Sequence, residues 1–341
     1  MHSPALSRYH SILEGSDKAN FLLTKQVLTD ERLDQASSRL WQVHDSARTR
    51  GPFACGNTTL LDIKSELADR MLEHCELCER RCGANRREGV KGHCGVLDSR
   101  VSSEFLHMGE EPDLVPSYTI FFSGCTFNCV YCQNWDISTK PESGIRMEPA
   151  DLARMIEMRS SGDGRARRAE TPANRARNVN WVGGDPTSNL PFILKVMREC
   201  RANLPQVWNS NMYLTEEAMR LLDGVIDVYL TDFKYGNDGC AQRLSGVESY
   251  TAIVQRNHLI AKQQCEVIVR HLVLPGHIEC CTRPVLHWIA ENLTGVKVNV
   301  MSQYRPEYKA AMFPELRRPM RILEYGKALG IAEDLGLDLC D

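Results

Sequence analysis

Short apolar runs alternate with longer amphipathic stretches from position 118 onward. Such runs are typical of buried strands, whereas apolar residues three and four positions apart are typical of helices. The predicted strands cover 118–123, 179–182, 206–209, 225–231, 266–274 and 296–301. The predicted helices between them cover 149–160, 190–201, 215–222, 249–262 and 282–292. This repeated strand–helix alternation predicts a parallel sheet.

Six strand–helix units favour an incomplete barrel over a closed one. A complete eight-strand barrel usually needs about 250 residues, and fewer than that remain after position 118. The predicted fold class is therefore α/β, with a partial (β/α)6 TIM-like barrel and an N-terminal helical and Cys-rich extension.

The chain outside the barrel divides into segments of different composition. Residues 1–73 show rough helical spacing, interrupted at Gly51-Pro52. The predicted segments are a helical extension (1–73), a loop-rich Cys segment (74–113), the barrel (114–308) and a C-terminal helical segment (309–341). Within the barrel, 159–177 holds six arginines and two acids. We interpret it as a solvated basic insertion, with a nucleic-acid contact as the alternative.

Composition narrows the function classes. Hydrophobic residues make up 43% and charged residues 25%, and the formal net charge is −3. These values are typical of a globular protein and give no electrostatic reason to expect nucleic acid as the main partner. No segment reads convincingly as a membrane span or a targeting signal, although a mitochondrial presequence remains an alternative at the N-terminus. A cytoplasmic protein without a membrane partner is expected.

Cysteine usage is the strongest chemical signal. Seven of the fourteen cysteines fall in two groups, Cys75/Cys78/Cys82/Cys94 and Cys125/Cys129/Cys132. In a chain without a secretory signal, clustering at ligand spacing predicts metal or cluster chemistry in a reducing compartment. The other cysteines show no ligand pattern and are expected to behave as buried apolar residues: Cys55, Cys200, Cys240, Cys265, Cys280, Cys281 and Cys340.

The second group is a C-x3-C-x2-C string, Cys125, Cys129 and Cys132, that follows a predicted strand. The carboxyl ends of strands carry the chemistry in barrels and open α/β sheets. Three thiolates can hold three irons of a 4Fe-4S cube, which leaves the fourth iron open to a chelating cofactor or substrate. The alternative is a structural zinc site that lacks one ligand.

The string from Gly124 to Trp135 resembles the radical S-adenosylmethionine superfamily, whose signature is this spacing with an aromatic residue, here Tyr131, before the last cysteine. It is similar to the branch related to pyruvate formate-lyase activating enzyme, and the resemblance extends roughly from Cys75 to Tyr308. It implies a 4Fe-4S cluster, S-adenosyl-L-methionine as cofactor and an electron donor such as flavodoxin or ferredoxin.

Val182-Gly183-Gly184-Asp185-Pro186-Thr187 ends the second predicted strand and resembles the family's Gly-Gly-Glu-Pro motif, with Asp185 in place of the commoner Glu. Paired glycines let the backbone approach a ligand closely, although a tight turn uses the same residues. The resemblance implies that the cofactor is positioned by Tyr131, Gly183, Gly184, Asp185 and Asn211.

Four residues after later strands are candidate catalytic residues on the substrate side: Asp232, Lys234, His277 and Arg305. Asp232-Phe233-Lys234 resembles the Asp-Leu-Lys motif of activating enzymes. The alternatives are a local salt bridge for this pair, a structural role for His277 and a tie to the C-terminal helix for Arg305. Arg270, within a predicted strand, requires a partner because an unpaired buried charge is costly.

The first cysteine group, Cys75, Cys78, Cys82 and Cys94, offers four thiolates among several arginines. Four thiolates fit structural zinc or a second iron–sulfur cluster. The spacing matches ferredoxin patterns poorly and therefore favours zinc.

Together these features predict a radical enzyme that cleaves S-adenosylmethionine to a 5′-deoxyadenosyl radical. The expected activity is that of an activase that makes a glycyl radical on a partner enzyme. A small-molecule or nucleoside-modifying enzyme is the first alternative. A metal-binding structural protein without catalysis is the second, and the intact triad and glycine motif argue against it. No residue pattern identifies the substrate.

Overall fold

The fold is seen in a computed structural model that describes residues 4–50, 56–161 and 175–340. Its strands are β1 (Leu28–Thr29), β2 (Thr58–Thr59), β3 (Val101–His107), β4 (Ser117–Phe122), β5 (Asn178–Gly183), β6 (Gln206–Ser210), β7 (Val228–Asp232), β8 (Glu266–Leu272), β9 (Lys297–Met301) and β10 (Asp338–Leu339). Its α-helices are α1 (Ser7–Leu13), α2 (Asn20–Thr24), α3 (Ser37–Arg50), α4 (Leu60–Arg70), α5 (Trp135–Ser138), α6 (Pro149–Ser161), α7 (Leu190–Glu199), α8 (Glu216–Leu222), α9 (Asp238–Ser245), α10 (Tyr250–Gln264), α11 (Arg283–Asn292) and α12 (Ile322–Asp334).

An open eight-stranded sheet runs through the described structure in the order β10-β9-β8-β7-β6-β5-β4-β3. The six strands β4 to β9 are parallel to one another and lie in sequence order. β3 pairs antiparallel with β4 at one edge, and β10 pairs parallel with β9 at the other. This arrangement confirms the predicted α/β fold with six parallel barrel strands.

The predicted elements of the barrel match the structure closely. β4 to β9 agree with the six predicted strands to within three residues at each end, and five of the crossover helices agree to within two. α9 was not predicted, because only three of its residues are buried and its apolar pattern is short.

The segment 74–113 also contains an edge strand, β3, that the sequence did not predict. That edge strand alternates buried or half-buried residues with exposed ones, and it includes serines and a glutamate. It therefore contains no continuous apolar run from which a strand could be predicted. The N-terminal segment is helical as expected, and it also contains a short antiparallel pair of strands, β1 and β2.

The main core lies between the sheet and the helices that cover its outer face. Trp181 of β5 and Trp208 of β6 are completely buried there. α7 packs against α4 of the N-terminal segment and against α6. α4 begins with a capping box in which Thr59 and Asp62 satisfy each other's backbone amides. The N-terminal segment is thereby joined to the barrel through one continuous core.

The first helix closes the amino end of the barrel. Leu6 and Tyr9 join a separate buried cluster with Leu114 and the inward-facing Val207, Val228, Leu230 and Ile268. The backbone amides of Arg8 and Tyr9 donate to the Glu266 carboxylate at 2.7 and 2.9 Å. Since Glu266 is the first residue of β8, these contacts block the amino end and leave the carboxyl end for ligands.

Two features named from the sequence lie largely or wholly outside the described residues. They are Cys55 and most of the basic insertion 159–177. Across the described ranges, no helix is both long enough and apolar enough to cross a membrane.

Candidate functional site at the carboxyl end of the barrel

A cavity of about 730 Å³ lies among the carboxyl ends of the parallel strands. The predicted residues that line it are Cys125, Cys129, Tyr131, Cys132, Gly183, Gly184, Asp185, Asn211, Asp232 and Lys234. Residues from four different regions of the chain thus meet at one site. His277 and Arg305 are described by the structure but are not among the lining residues; Arg305 is exposed.

The cysteine loop follows β4 and is held by the C-terminal end of α9. The Asn128 and Val130 amides donate to the carbonyl oxygens of Ser245 and Leu244 at 3.1 and 2.8 Å. The Ser245 hydroxyl donates to Cys129 Sγ at 2.9 Å. The loop conformation is therefore set by backbone hydrogen bonds to a neighbouring crossover.

Hydrogen-bond donors surround the sulfurs of the triad. Besides Ser245, the Phe127 amide donates to Cys125 Sγ at 3.4 Å. Burial raises the pKa of the Cys129 thiol and the ammonium of Lys234 lowers it, and the net result is a rise to about 11. A buried thiolate needs a nearby cation to be stable. Three cysteine sulfurs that lie on one wall of a cavity and have hydrogen-bond partners of their own fit a thiolate-ligated iron–sulfur cluster.

The two glycines after β5 lie directly against the cysteine loop. A Cβ atom on Gly184 would lie 2.1 Å from the Gly124 carbonyl oxygen and 2.9 Å from Cys125 Cβ. Gly183 has a φ of +138°, which L side chains rarely adopt. The Asp185 amide donates to Gly124 O at 3.2 Å. Only glycine allows the end of β5 to approach the loop this closely.

The Asp185 carboxylate makes its hydrogen bonds to other groups of the protein. Its buried carboxylate accepts hydrogen bonds from the Thr187 amide, the Ser210 hydroxyl and the Asn211 amide at 2.9–3.0 Å. Burial raises the pKa of Asp185 despite these bonds. The carboxylate ties the end of β5 to the end of β6, so the geometry gives it a positioning role.

Asn211 and Tyr131 are also held in place by neighbours. Asn211 Nδ2 donates to Thr126 Oγ1 at 3.0 Å and lies 4.0 Å from Cys125 Sγ. The Tyr131 hydroxyl shares a hydrogen bond of 2.7 Å with the Tyr235 hydroxyl. Both side chains reinforce the wall that carries the cysteines.

Asp232 and Lys234 form an ion pair at the rim of β7, with 2.6 Å between Nζ and Oδ2. Burial alone would lower the pKa of Lys234, but the Asp232 carboxylate and the Cys129 thiol raise it to about 12. The local salt bridge that was the alternative for this pair is present, and both of its residues line the cavity.

Deeper in the barrel, Arg270 has two acidic partners, as its burial requires. Its Nε and Nη2 donate to the two Glu111 oxygens at 2.7 and 2.8 Å, and Nη2 also pairs with Glu110. Burial alone would raise the pKa of Glu110, but the Arg270 guanidinium and His107 lower it to about 2. Asn299 Nδ2 donates to Glu111 at 2.8 Å.

Sequence reasoning missed Glu110 and Glu111 because they lie in the segment expected to be loop-rich. The available signal was Arg270 itself, since a buried arginine in a strand requires an acid from elsewhere in the chain. The two glutamates and His107 line the same cavity as the cysteines.

The upstream cysteines converge at a second, small cavity behind the glycine turn. It is lined by Cys75, Cys78, Cys82 and Cys94 together with Leu77, Arg86, His93, Thr187 and Ser188. Arg80 ties this segment to the triad loop, because its Nε donates to Thr126 O at 3.0 Å. The two cysteine groups named from the sequence are therefore neighbours in the fold.

His277 lies elsewhere, against Cys240, Cys280 and Cys281. The sequence shows no metal-ligand spacing for these three cysteines, but the fold brings them together around one histidine. Cys240 is distant in sequence and Cys280-Cys281 are adjacent, so no familiar spacing marks the group.

Comparisons with known proteins agree with this site. A model of the Radical SAM superfamily matches residues 119–289. An uncharacterized protein of Methanocaldococcus jannaschii is 44% identical over 98% of this chain and 98% of its own length. Pyruvate formate-lyase 1-activating enzyme of Escherichia coli is 25% identical over 47% of this chain and 61% of its own.

Among solved structures, methylornithine synthase is 13% identical, with a TM-score of 0.44, and the match covers 98% of this chain and 85% of that one. The family model spans half of the chain and includes the cysteine loop, the glycine turn and the Asp232–Lys234 pair. The chain belongs to the radical S-adenosylmethionine superfamily.

Proposed function

We propose that Cys125, Cys129 and Cys132 hold a 4Fe-4S cluster with which this enzyme cleaves S-adenosylmethionine reductively. The observation that carries the proposal is that the three cysteines and the Gly183-Gly184 turn line one cavity. When bound, the cluster supplies the electron that yields methionine and a 5′-deoxyadenosyl radical, which takes a hydrogen atom from the substrate. A flavodoxin or ferredoxin is the expected source of that electron.

The chain's own residues prepare the site for both cofactors. Ser245 and the Phe127 amide stabilise thiolates by donating to sulfur. Asp185 fixes the ends of β5 and β6, so that the backbone at Gly183 and Gly184 faces the cavity beside the cysteines. We assign the methionine part of the cofactor to this backbone edge, with Asn211 and Tyr131 forming the adjoining wall.

The remaining lining supports a small polar substrate. Asp232 and Lys234 near the cysteines, and Glu110, Glu111 and Arg270 below them, present both signs of charge to the cavity. The cavity of about 730 Å³ would also hold the cluster and S-adenosylmethionine, so the space left for the substrate is small. We assign Asp232 and Lys234 to the substrate side. His277 and Arg305 do not line the cavity and have no part in this assignment.

A glycyl-radical activase is the second candidate. The similarity to pyruvate formate-lyase 1-activating enzyme, which covers 47% of this chain, favours it. Incubation with pyruvate formate-lyase, reductant and S-adenosylmethionine would generate a glycyl radical visible by EPR. Production of 5′-deoxyadenosine without that signal would leave the small-molecule enzyme.

Slow cleavage of S-adenosylmethionine without substrate tests the main proposal. Anaerobically reconstituted protein with dithionite is expected to release 5′-deoxyadenosine, measured by chromatography with mass detection. Cys129→Ala removes one ligand and is expected to abolish the product. Cys265→Ala, at a cysteine outside the cavity lining, is the matched control and is expected to retain it. Absence of product from protein with a full, reducible cluster would contradict the proposal.

We also propose that the four upstream cysteines hold a separate metal, zinc or a second iron–sulfur cluster. Their convergence on one cavity beside Ser188 supports this. Metal analysis of wild-type protein and of Cys78→Ala is the test. Equal metal content in the two folded proteins would refute the second site.

A further inference from the structure

Four potential metal ligands meet on the side of the barrel next to α9. Cys240 comes from α9, and His277, Cys280 and Cys281 come from the turn after β8. His277 Nδ1 lies 3.6, 3.3 and 3.7 Å from the sulfurs of Cys240, Cys280 and Cys281. Cys280 Sγ lies 4.0 Å from Cys240 Sγ and 3.9 Å from Cys281 Sγ. All four ligand atoms lie within 4.8 Å of one another.

These separations match a tetrahedral zinc site. With Zn–S bonds of about 2.3 Å and Zn–N bonds of about 2.0–2.1 Å, a tetrahedron places sulfur about 3.6 Å from nitrogen and about 3.8 Å from another sulfur. We propose that Cys240, His277, Cys280 and Cys281 bind one zinc ion as a closed Cys3His site. This site is separate from the triad and from the upstream cysteines.

The outer nitrogen of His277 lies near a carboxylate of the kind that partners a metal-bound histidine, at a distance longer than a hydrogen bond. Nε2 lies 3.7 Å from Glu315 Oε1, while Nδ1 faces the three sulfurs. Ligating histidines almost always donate their other ring N–H to a carboxylate, a carbonyl or water, which fixes the ring orientation. Glu315 is itself paired with Arg243, whose positive charge offsets the excess negative charge of three thiolates around Zn²⁺.

Asn237 supports the sulfurs from the other side. Its Nδ2 lies 3.4 Å from Cys240 Sγ and donates to the Cys280 carbonyl at 2.8 Å. Its Oδ1 accepts from the Cys240 amide at 2.8 Å and so caps the start of α9. One side chain therefore links the loop after β7 to the turn after β8 at the proposed ion.

The backbone explains how two adjacent cysteines can both face the ion. Ile278–Thr282 forms a single π-helical turn, a feature that is frequent at functional sites. A Cβ atom on Gly236 would lie 2.8 and 2.9 Å from the Cys280 and Cys281 carbonyl oxygens. Glycine at this position lets the loop after β7 lie directly on the turn. Cys280 is exposed, which gives an ion access from solvent.

Ordinary core packing does not account for the arrangement. Packing places cysteine sulfurs against apolar neighbours, whereas here three sulfurs surround one imidazole nitrogen. An ion at this point would join the start of α9 to the turn after β8. The other end of α9 carries Ser245, which donates to Cys129. The proposed zinc is therefore a structural clamp on the helix that holds the triad loop, whatever the substrate of the enzyme.

Zinc content tests the site. Purified Cys240→Ala/Cys280→Ala is expected to contain one zinc fewer per chain than wild-type protein, while Cys265→Ala is expected to match wild type. Cobalt substitution of wild type is expected to give thiolate-to-cobalt absorption that weakens in the double variant. Comparing variants isolates this site from other cysteine groups that bind metal.

Equal zinc content and equal cobalt absorption in the folded double variant would overturn the proposal. So would wild-type protein in which mass spectrometry finds a disulfide among Cys240, Cys280 and Cys281. If the double variant does not fold, Cys280→Ala decides, since that side chain is at the surface: its zinc must pass to a chelator faster than that of wild type. Glu315→Gln is expected to weaken zinc binding about 10–100-fold, and unchanged affinity in both single variants would equally reject the site.

Discussion

The mouth and the floor of the barrel line the same cavity but are built in different ways. At the mouth, one short loop carries Cys125, Cys129 and Cys132 and is held by backbone hydrogen bonds to α9. On the floor, Arg270 of β8 meets Glu110 and Glu111, which precede Arg270 by 160 and 159 positions in the chain. The mouth offers soft ligands that await partners, whereas the charged side chains of the floor are already paired with one another.

This contrast separates the tasks of the two regions. Ligands that bind a cluster need free lone pairs and close approach of backbone, which the glycine turn provides. Buried charges on the floor require partners, since an unpaired one would be expensive. Changes on the floor should therefore alter stability first, and changes at the mouth should alter the cluster first.

The largest expected effect is on the floor. Arg270→Met leaves Glu110 and Glu111 buried without their cation, so it should lower the free energy of unfolding by about 3–5 kcal/mol. Chemical denaturation of the cluster-free proteins measures this. Arg283→Met removes a surface partner of Glu279 and should leave stability nearly unchanged. Equal stability of the two variants would show that the floor does not depend on the pairing.

A methyl group at the mouth should have the next largest effect. Gly184→Ala places a Cβ against the Gly124 carbonyl, and overpacking of this kind costs about 1–3 kcal/mol. Iron and sulfide analysis should show poor cluster incorporation. Gly330→Ala in α12, where no heavy atom lies within 4 Å of the new methyl, is the matched control and should assemble the cluster normally. Full incorporation in Gly184→Ala would show that cluster assembly does not depend on the close approach of this turn to the cysteine loop.

The smallest effect is expected for a single hydrogen bond at the mouth. Ser245→Ala removes the hydroxyl that donates to Cys129 Sγ. Donors to the sulfurs favour the reduced cluster, so its potential should become more negative; a loss of about 1 kcal/mol corresponds to about 40 mV for one electron. Tyr235→Phe keeps the Ser245 hydroxyl and should shift the potential less. Redox titration followed by EPR compares the two, and an unchanged potential in Ser245→Ala would exclude this donor from tuning the cluster.

The same contrast explains what the sequence could predict. The triad could be predicted because its ligands fall within one loop. The six parallel strands could be predicted because each is a short apolar run bounded by helices. Glu110 and Glu111 were missed because their pairing with Arg270 depends on which strands become neighbours. The group around His277 was missed for the same reason, since Cys240 and Cys280 lie 40 positions apart.

The direct test of the central claim is the EPR spectrum of the reduced, reconstituted protein recorded with and without S-adenosylmethionine. The cofactor is expected to bind the open position of a cluster held by Cys125, Cys129 and Cys132, beside Gly183 and Gly184. Addition of the cofactor should therefore change the cluster signal. A fully loaded and reducible cluster whose spectrum is the same with and without S-adenosylmethionine would contradict the account.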